Sequence, residues 1–465
     1  MYAGVHRGVP YLSDAHDRLR LYPGGRLRMD LQCAPGAPDL PGLGAHLGPR
    51  FYVRRVRLDL SGDIYGRLAF SLGGELGSER IGETNFTGPD TPRLAHVSAH
   101  DSSLRPVDVS VSYRFRRWLS FTLGQQNTPF SLSNRTPEPA TSTMERPLAI
   151  RGFTVPDERA LGLALWGDVT DLVSYEAGVF DGDGEHGPFA DATPDFAARA
   201  VVRPLRRLGK SRVLRDSRLG VSGRIGGRDM VSYDYPTLAT GGGYVLWQPG
   251  YVDSQGRITH VLPSGMQRAI GGELRAPFDL PGGRGAELRA EAYFVENDTR
   301  EAVQGFIATN SERFGRVRGL GWYAQASLWA LGDAFASGEP GTWRPKQIDR
   351  ENDAPLPRGL EIVLLASGIN ASYSAATREG STEDALTPRS NITAYELGGA
   401  FNYWRGTLFR ASLEYFAYLA PGSGTATNLV VLPRELESAA TSETAGGEGG
   451  ADVHHELGAR VAVSF

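Results

Sequence analysis

The sequence predicts an all-β fold, a transmembrane antiparallel β-barrel of about sixteen strands. Three observations predict it. Apolar residues recur at every second position in segment after segment, the mark of strands with two different faces. The connections alternate between tight turns and long polar stretches, as in a barrel with a short-turn end and a long-loop end. The second face carries small and charged side chains, which only a very large soluble core could accommodate, whereas closing the sheet around water turns the apolar face to lipid and leaves no edge.

The elements follow in order. Segment 18–33 holds RLYPGGRLRMDL. In 51–61, Val56, Leu58 and Leu60 oppose Arg57 and Asp59, and a Gly62–Asp63 link leads into 64–76, which contains GRLAFSLGG. Segment 106–115 sets Val107, Val109, Val111, Tyr113 and Phe115 against Asp108, Ser110, Ser112 and Arg114. After Arg116–Arg117, segment 118–126 sets Leu119, Phe121 and Leu123 against Ser120, Thr122 and Gly124. The long connection 127–158 separates these from 159–167 and 172–180, which meet at Asp168–Asp171. Two-faced segments continue at 195–203, 218–228, 264–276, 285–297, 319–332, 359–374, 391–403, 407–420 and 453–465, with a tight link at Trp404–Gly406. In the last of them Leu457, Ala459, Val461, Val463 and Phe465 share one face, so Phe465 is expected to be the final lipid-facing residue of the closing strand. Links 204–217 and 333–358 are longer than a short-turn end requires. The division expected is an N-terminal periplasmic segment, 1–17, and a barrel, 18–465.

Composition supports many turns, with 59 glycines and 29 prolines. A net charge of −4 excludes a nucleic-acid footprint based on overall charge. All basic residues except Lys210 and Lys346 are arginine, and Arg55, Arg57, Arg67, Arg114, Arg199, Arg224, Arg289, Arg410 and Arg460 fall on the polar face. Cys33 is alone, so neither a disulfide framework nor a cysteine metal site is expected. No apolar run approaches the roughly 18 residues of a membrane helix, and no signal peptide is recognisable near Met1. Tyr22, Trp118, Trp166, Trp322, Trp329 and Trp404 are candidates for interfacial girdles.

Catalytic and metal motifs are weak, and no cofactor is expected. Asp181, Asp183 and Glu185 alternate with glycine but lack the other ligands of a calcium loop. The pairs His96/His100 and His454/His455 lack the rest of a zinc motif, and no G-x-S-x-G elbow is present. Glu287 and Glu291 share the lumen face of one strand. The stretch ESAATSETAGGEGGAD reads as an external loop tip. The competing expectation is a secreted or surface all-β carbohydrate-binding protein or hydrolase, which would be soluble without detergent.

The third long connection, NTPFSLSNRTPEPATSTMERPLAIRGFTVPDER, carries a family resemblance together with the flanking FTLGQQ and ALGLAL. Gln125, Pro129, Phe130, Glu145, Arg146 and Arg159 to Gly162 resemble the phosphate-selective porin O and P family, as do RLYPGGRLRMDL, VSYEAGVFDGDG, RAVVRP and GWYAQASLWALG. The resemblance implies a sixteen-stranded homotrimeric porin of the bacterial outer membrane, in contact with lipid and lipopolysaccharide. Its third external loop would fold inward and narrow a water-filled pore for passive diffusion of small solutes, and a terminal aromatic resembles the insertion signal of such proteins. Constriction donors for an anion would be Arg135, Arg146, Arg151, Arg159, Ser131, Ser142 and Thr143, with Arg55, Arg57, Arg114 and Arg460 as a lumen track. Neither lysine lies in this loop, in contrast to phosphate-selective members. A general or anion-preferring porin is therefore expected, with phosphate or polyphosphate left open. An equal alternative pairs Arg146 and Arg159 with Glu145 and Glu158 merely to pin the loop.

Overall fold

The computed structural model describes residues 1–6, 9–35, 49–76, 104–153, 159–181, 193–208, 214–229, 238–242, 245–247, 249, 260–302, 313–332, 341, 356–376, 386–421 and 452–465. A hairpin, β1 (Tyr2–His6) and β2 (Val9–Ser13), precedes the barrel. Then come β3 (Leu19–Cys33), β4 (Arg50–Ile64), β5 (Leu68–Leu76), β6 (Leu104–Arg116), β7 (Leu119–Asn127), β8 (Arg159–Asp168), β9 (Val173–Phe180), β10 (Asp195–Val202) and β11 (Arg218–Asp229). A small hairpin, β12 (Leu238–Ala239) and β13 (Val245–Trp247), lies between β11 and the second half. That half comprises β14 (His260–Leu280), β15 (Arg284–Ala302), β16 (Arg313–Gly332), β17 (Arg358–Ala376), β18 (Leu386–Arg405), β19 (Phe409–Ala420) and β20 (Asp452–Ser464).

Strands β3–β11 and β14–β20 form a closed antiparallel barrel of sixteen strands. β20 closes the ring on β3 with Arg460 opposite Asp30, and beyond its end Phe465 exchanges two backbone hydrogen bonds with Gly25, at 2.9 and 3.0 Å. The predicted count holds. Residues 1–13 do not stand apart from the sheet, because β2 pairs with the start of β3 at Leu12–Leu21 and Ser13–Arg20.

The outward face decides between membrane and soluble readings. Leu123, Ile270 and Leu364 are 60–65% exposed, and Leu58, Val111, Phe121, Leu163, Val221, Leu320, Phe401, Leu413 and Val461 face outward with them. Each such side chain forgoes on the order of 1.5–3 kcal/mol if left in water, so this belt is stable only in lipid. The detergent-free solubility that the competing expectation requires fails on that count.

Several local expectations are corrected. The first tight turn lies at 65–67, not at Gly62–Asp63, which still pair with Phe70 and Ala69. Tyr65 and Gly66 take left-handed φ values of 52° and 62°, the geometry of a two-residue hairpin, and Asp63 accepts from the Gly66 amide at 3.2 Å. Arg67 consequently sits exposed beside the turn rather than on the lumen wall. Val107 is buried, because an extra residue at this point of β6 pushes it off the lipid face. Only Trp118 and Trp322 among the proposed girdle residues are exposed. Tyr22, Trp166, Trp329 and Trp404 turn inward, where Asp63, Thr122 and Glu361 accept from Tyr22, Trp166 and Trp404. β14–β18 span 19 to 21 residues, longer than the segments expected.

Gly124, in the GQ motif of β7, has φ +125°, and a Cβ there would lie 2.1 Å from the Val109 carbonyl oxygen. Gly124→Ala is expected to destabilise the barrel by roughly 2 kcal/mol or more. The check is the temperature at which folded protein loses its anomalous mobility on detergent gels.

Candidate functional site

The loop between β7 and β8 enters the barrel. A one-turn 3-10 helix at Glu138–Ala140 and a short helix, α1 (Leu148–Phe153), shape it, and Phe130, Leu132, Leu148 and Ile150 are almost fully buried. Buried amides need acceptors, and carboxylates of the far wall supply them. Glu291 of β15 accepts from the Leu132 and Ser133 amides at 2.9 and 2.7 Å. Glu396 of β18 accepts from Leu148 at 2.7 Å, and Glu414 of β19 accepts from the Met144 amide. Glu361 of β17 accepts from the Ser142 hydroxyl at 2.9 Å, while Asn402 donates to the Ser142 carbonyl at 2.6 Å.

A second segment folds inward beside it. β12 places Leu238 against α1, and β13 adds the buried Leu246 and Trp247. The Gly241 amide donates to Tyr418 at 3.1 Å and the Gly242 amide to Glu456 at 2.8 Å. Leu238, Leu246 and Trp247 belong to one apolar cluster with Ile150, Val295, Ile369 and Phe416. The two inward segments therefore pack against the β14–β17 side of the bore. From the short-turn end, Gly341 reaches the same loop, its amide donating to Thr136 at 2.8 Å and its carbonyl accepting from Arg199 at 3.1 Å.

The opposite wall is cationic. In β3 and β4, Arg28 lies directly opposite Arg55 and Arg26 opposite Arg57. An irregular step in this pairing turns both Arg54 and Arg55 inward. Glu138 of the loop meets Arg26 and Arg28 at 3.4 Å each and also contacts Arg55, whose Nε reaches Glu75 at 3.0 Å. Arg57 pairs with Asp59 at 2.7 Å and with Asp108, which Arg159 meets at 2.9 Å. Arg410 of β19 contacts the Thr141 carbonyl and lies 5.1 Å from the Trp404 ring centre. Two cavities flank the loop along β20. One, of about 550 Å³ including open solvent, is bordered by Gln32, Arg50, Met144, Glu145, Glu456 and Gly458. The other, of about 280 Å³, is bordered by Arg26, Arg28, Glu138, Thr407, Arg410 and Ser464.

The predicted constriction residues are distributed unevenly. Arg135 is buried on the Asn127 carbonyl at 2.7 Å and Glu176 at 2.6 Å. Arg146 donates to carbonyls of Ser133 and Thr136 within its own loop. Arg151 pairs with Glu396 at 2.9 Å. Ser131 accepts from the Asn134 amide at 3.1 Å, and Thr143 donates to the Glu145 carbonyl at 2.6 Å. Glu145 meets Arg54 at 3.1 Å and Arg460 at 3.3 Å, and Arg460 is clamped by Asp30 at 2.6 Å. Glu158 lies outside the described residues, as do His96, His100, Asp183, Glu185 and the stretch around 437–451. Arg114 faces the bore near the short-turn end, away from this cluster. Sequence reasoning missed Arg26, Arg28, Arg54 and Glu138 as members of the site. Arg26 and Arg28 alternate visibly in RLRMDL, but their register against β4 is a tertiary fact.

Comparison with known proteins follows the same lines. Residues 27–235 match the family profile described as phosphate-selective porin O and P. Among solved structures, in-vitro folded OmpT, an outer membrane protein of Vibrio cholerae, is similar with a TM-score of 0.52 at 10% identity, covering 98% of this chain and 99% of that one. Outer-membrane expressed OmpT of Vibrio cholerae gives 0.50 at 10% identity, covering 98% and 100%. At such identity the likeness bears on the fold. A comparison with curated protein sequences finds no match.

Proposed function

We propose that this chain, an outer-membrane β-barrel porin similar to the phosphate-selective porin O and P family, lets small solutes diffuse passively through its bore and prefers anions. The observation that carries the preference is the pair of cross-strand arginine contacts, Arg28–Arg55 and Arg26–Arg57, beside the inward loop. Like charges directly opposite on a sheet repel, so each pair is tolerable only with anionic partners near it. Glu138, Asp59 and Asp108 supply part of that charge, and a passing oxyanion supplies more. Guanidinium forks suit oxyanions, and several weak sites in a row allow the ion to leave as well as enter. Arg410, Arg28 and Arg55 stand in one register row with Ala462 between, a stepwise path toward the short-turn end.

Phosphate or polyphosphate is the solute class that such forks suit best. No covalent chemistry is needed for passage, and assembly as a homotrimer follows the resemblance. The test is the reversal potential of the purified channel under a potassium chloride gradient, followed by addition of phosphate. Anion preference with phosphate lowering the chloride current is expected. A cation-preferring channel would overturn the reading, and anion preference without a phosphate effect would reduce it to a general anion porin.

A further inference from the structure

The outer surface carries charge where the apolar belt stops. On β14, β15 and β16, Ile270, Phe294 and Leu320 lie side by side in register and are 43–60% exposed. One step toward the long-loop end, on the same outward face, Arg268, Glu296 and Arg318 form the next row in register. Glu296 accepts from Arg268 Nη1 at 3.0 Å and from Arg318 Nε at 2.8 Å, and beyond it Asp298 accepts from Arg316 Nε at 2.8 Å. The Arg268 and Arg318 side chains remain half exposed, and their other N–H groups have no partner among the described residues.

We propose that this face of β14–β16 docks the phosphate-bearing headgroup of an outer-leaflet glycolipid. A charged row set in hydrocarbon is costly, so its depth is that of the headgroups, immediately beyond the acyl chains that cover Ile270, Phe294 and Leu320. Neighbouring strands lie roughly 5 Å apart, which puts Arg268 and Arg318 about 10 Å apart at the backbone. Glu296 draws both guanidinium groups toward one point, orients them, and leaves their outer N–H groups for a single phosphate. Three arginines against two carboxylates give the patch an excess of positive charge. The adjoining apolar row favours a lipid over free phosphate, since only a lipid can use both rows at once.

The inference rests on the outer-membrane reading, and its test separates the two. Full-length protein in detergent is mixed with bis-phosphorylated lipid A or with its dephosphorylated form, and retained lipid is counted by native mass spectrometry. Wild-type protein is expected to retain the phosphorylated form at least about tenfold better. R268S/R318S loses that difference, R207S at the short-turn end keeps it, and excess inorganic phosphate does not displace the lipid. Equal retention by R268S/R318S, equal retention of dephosphorylated lipid, or displacement by free phosphate would each overturn the proposal. Heat-dependent gel mobility and unchanged conductance of R268S/R318S verify the porin independently. If the double variant does not fold, R318S carries the same comparison with a smaller expected loss.

Discussion

Replacing Glu291 and Glu396 together with alanine raises single-channel conductance by about twofold or more, because these carboxylates hold the inward loop across the bore. Glu291 receives the Leu132 and Ser133 amides and the Tyr323 hydroxyl, and Glu396 receives the Leu148 amide and Arg151. Their removal strands three buried loop amides, at a cost of roughly 1–3 kcal/mol each. The barrel ladder is untouched, so gel mobility changes little. Glu→Gln at the same positions keeps an acceptor oxygen, and conductance stays closer to that of the wild type. Unchanged conductance in the alanine variant would show that other contacts hold the loop.

The second large effect concerns charge. Arg28→Ser combined with Arg55→Ser moves the reversal potential toward cations, since Glu138 and Glu75 then face the bore without their nearest guanidinium partners. Arg114→Ser produces a smaller shift, because Arg114 stands near the short-turn end, outside the Glu138 cluster. The readout is ion preference in a salt gradient at fixed total salt, because screening at high ionic strength shrinks the difference. An unmoved potential in the double variant would place the selectivity elsewhere.

The barrel itself was legible because a strand between lipid and lumen must alternate, and Val109, Val111, Phe121 and Leu123 do so without ambiguity. Turn chemistry was misread where Gly62–Asp63 outshone Tyr65–Gly66, although only the latter pair takes left-handed backbone angles. The inward hairpin was missed because 229–263 read as a polar connection. Leu238, Val245, Leu246 and Trp247 were the apolar signal within it. Tryptophan position along a strand does not reveal which face it takes, and Trp329 and Trp404, 6.4 Å apart between ring centres, lie inside. At the constriction the arginines could be recognised as a class, but their partners could not. Whether an arginine is held by a carboxylate or faces a solute depends on register between distant segments, such as Arg28 with Arg55 and Arg460 with Asp30.

Solutes are proposed to pass along the arginine wall of β3 and β4, while the inward segments fill the β14–β17 side. Blocking by a charged thiol reagent during single-channel recording tests it directly, with Cys33→Ser as background and a cysteine placed at either Arg55 or Tyr323. Current through R55C is expected to fall on reagent addition, and current through Y323C to stay constant. Block at Y323C with none at R55C would place the solute path on the opposite wall.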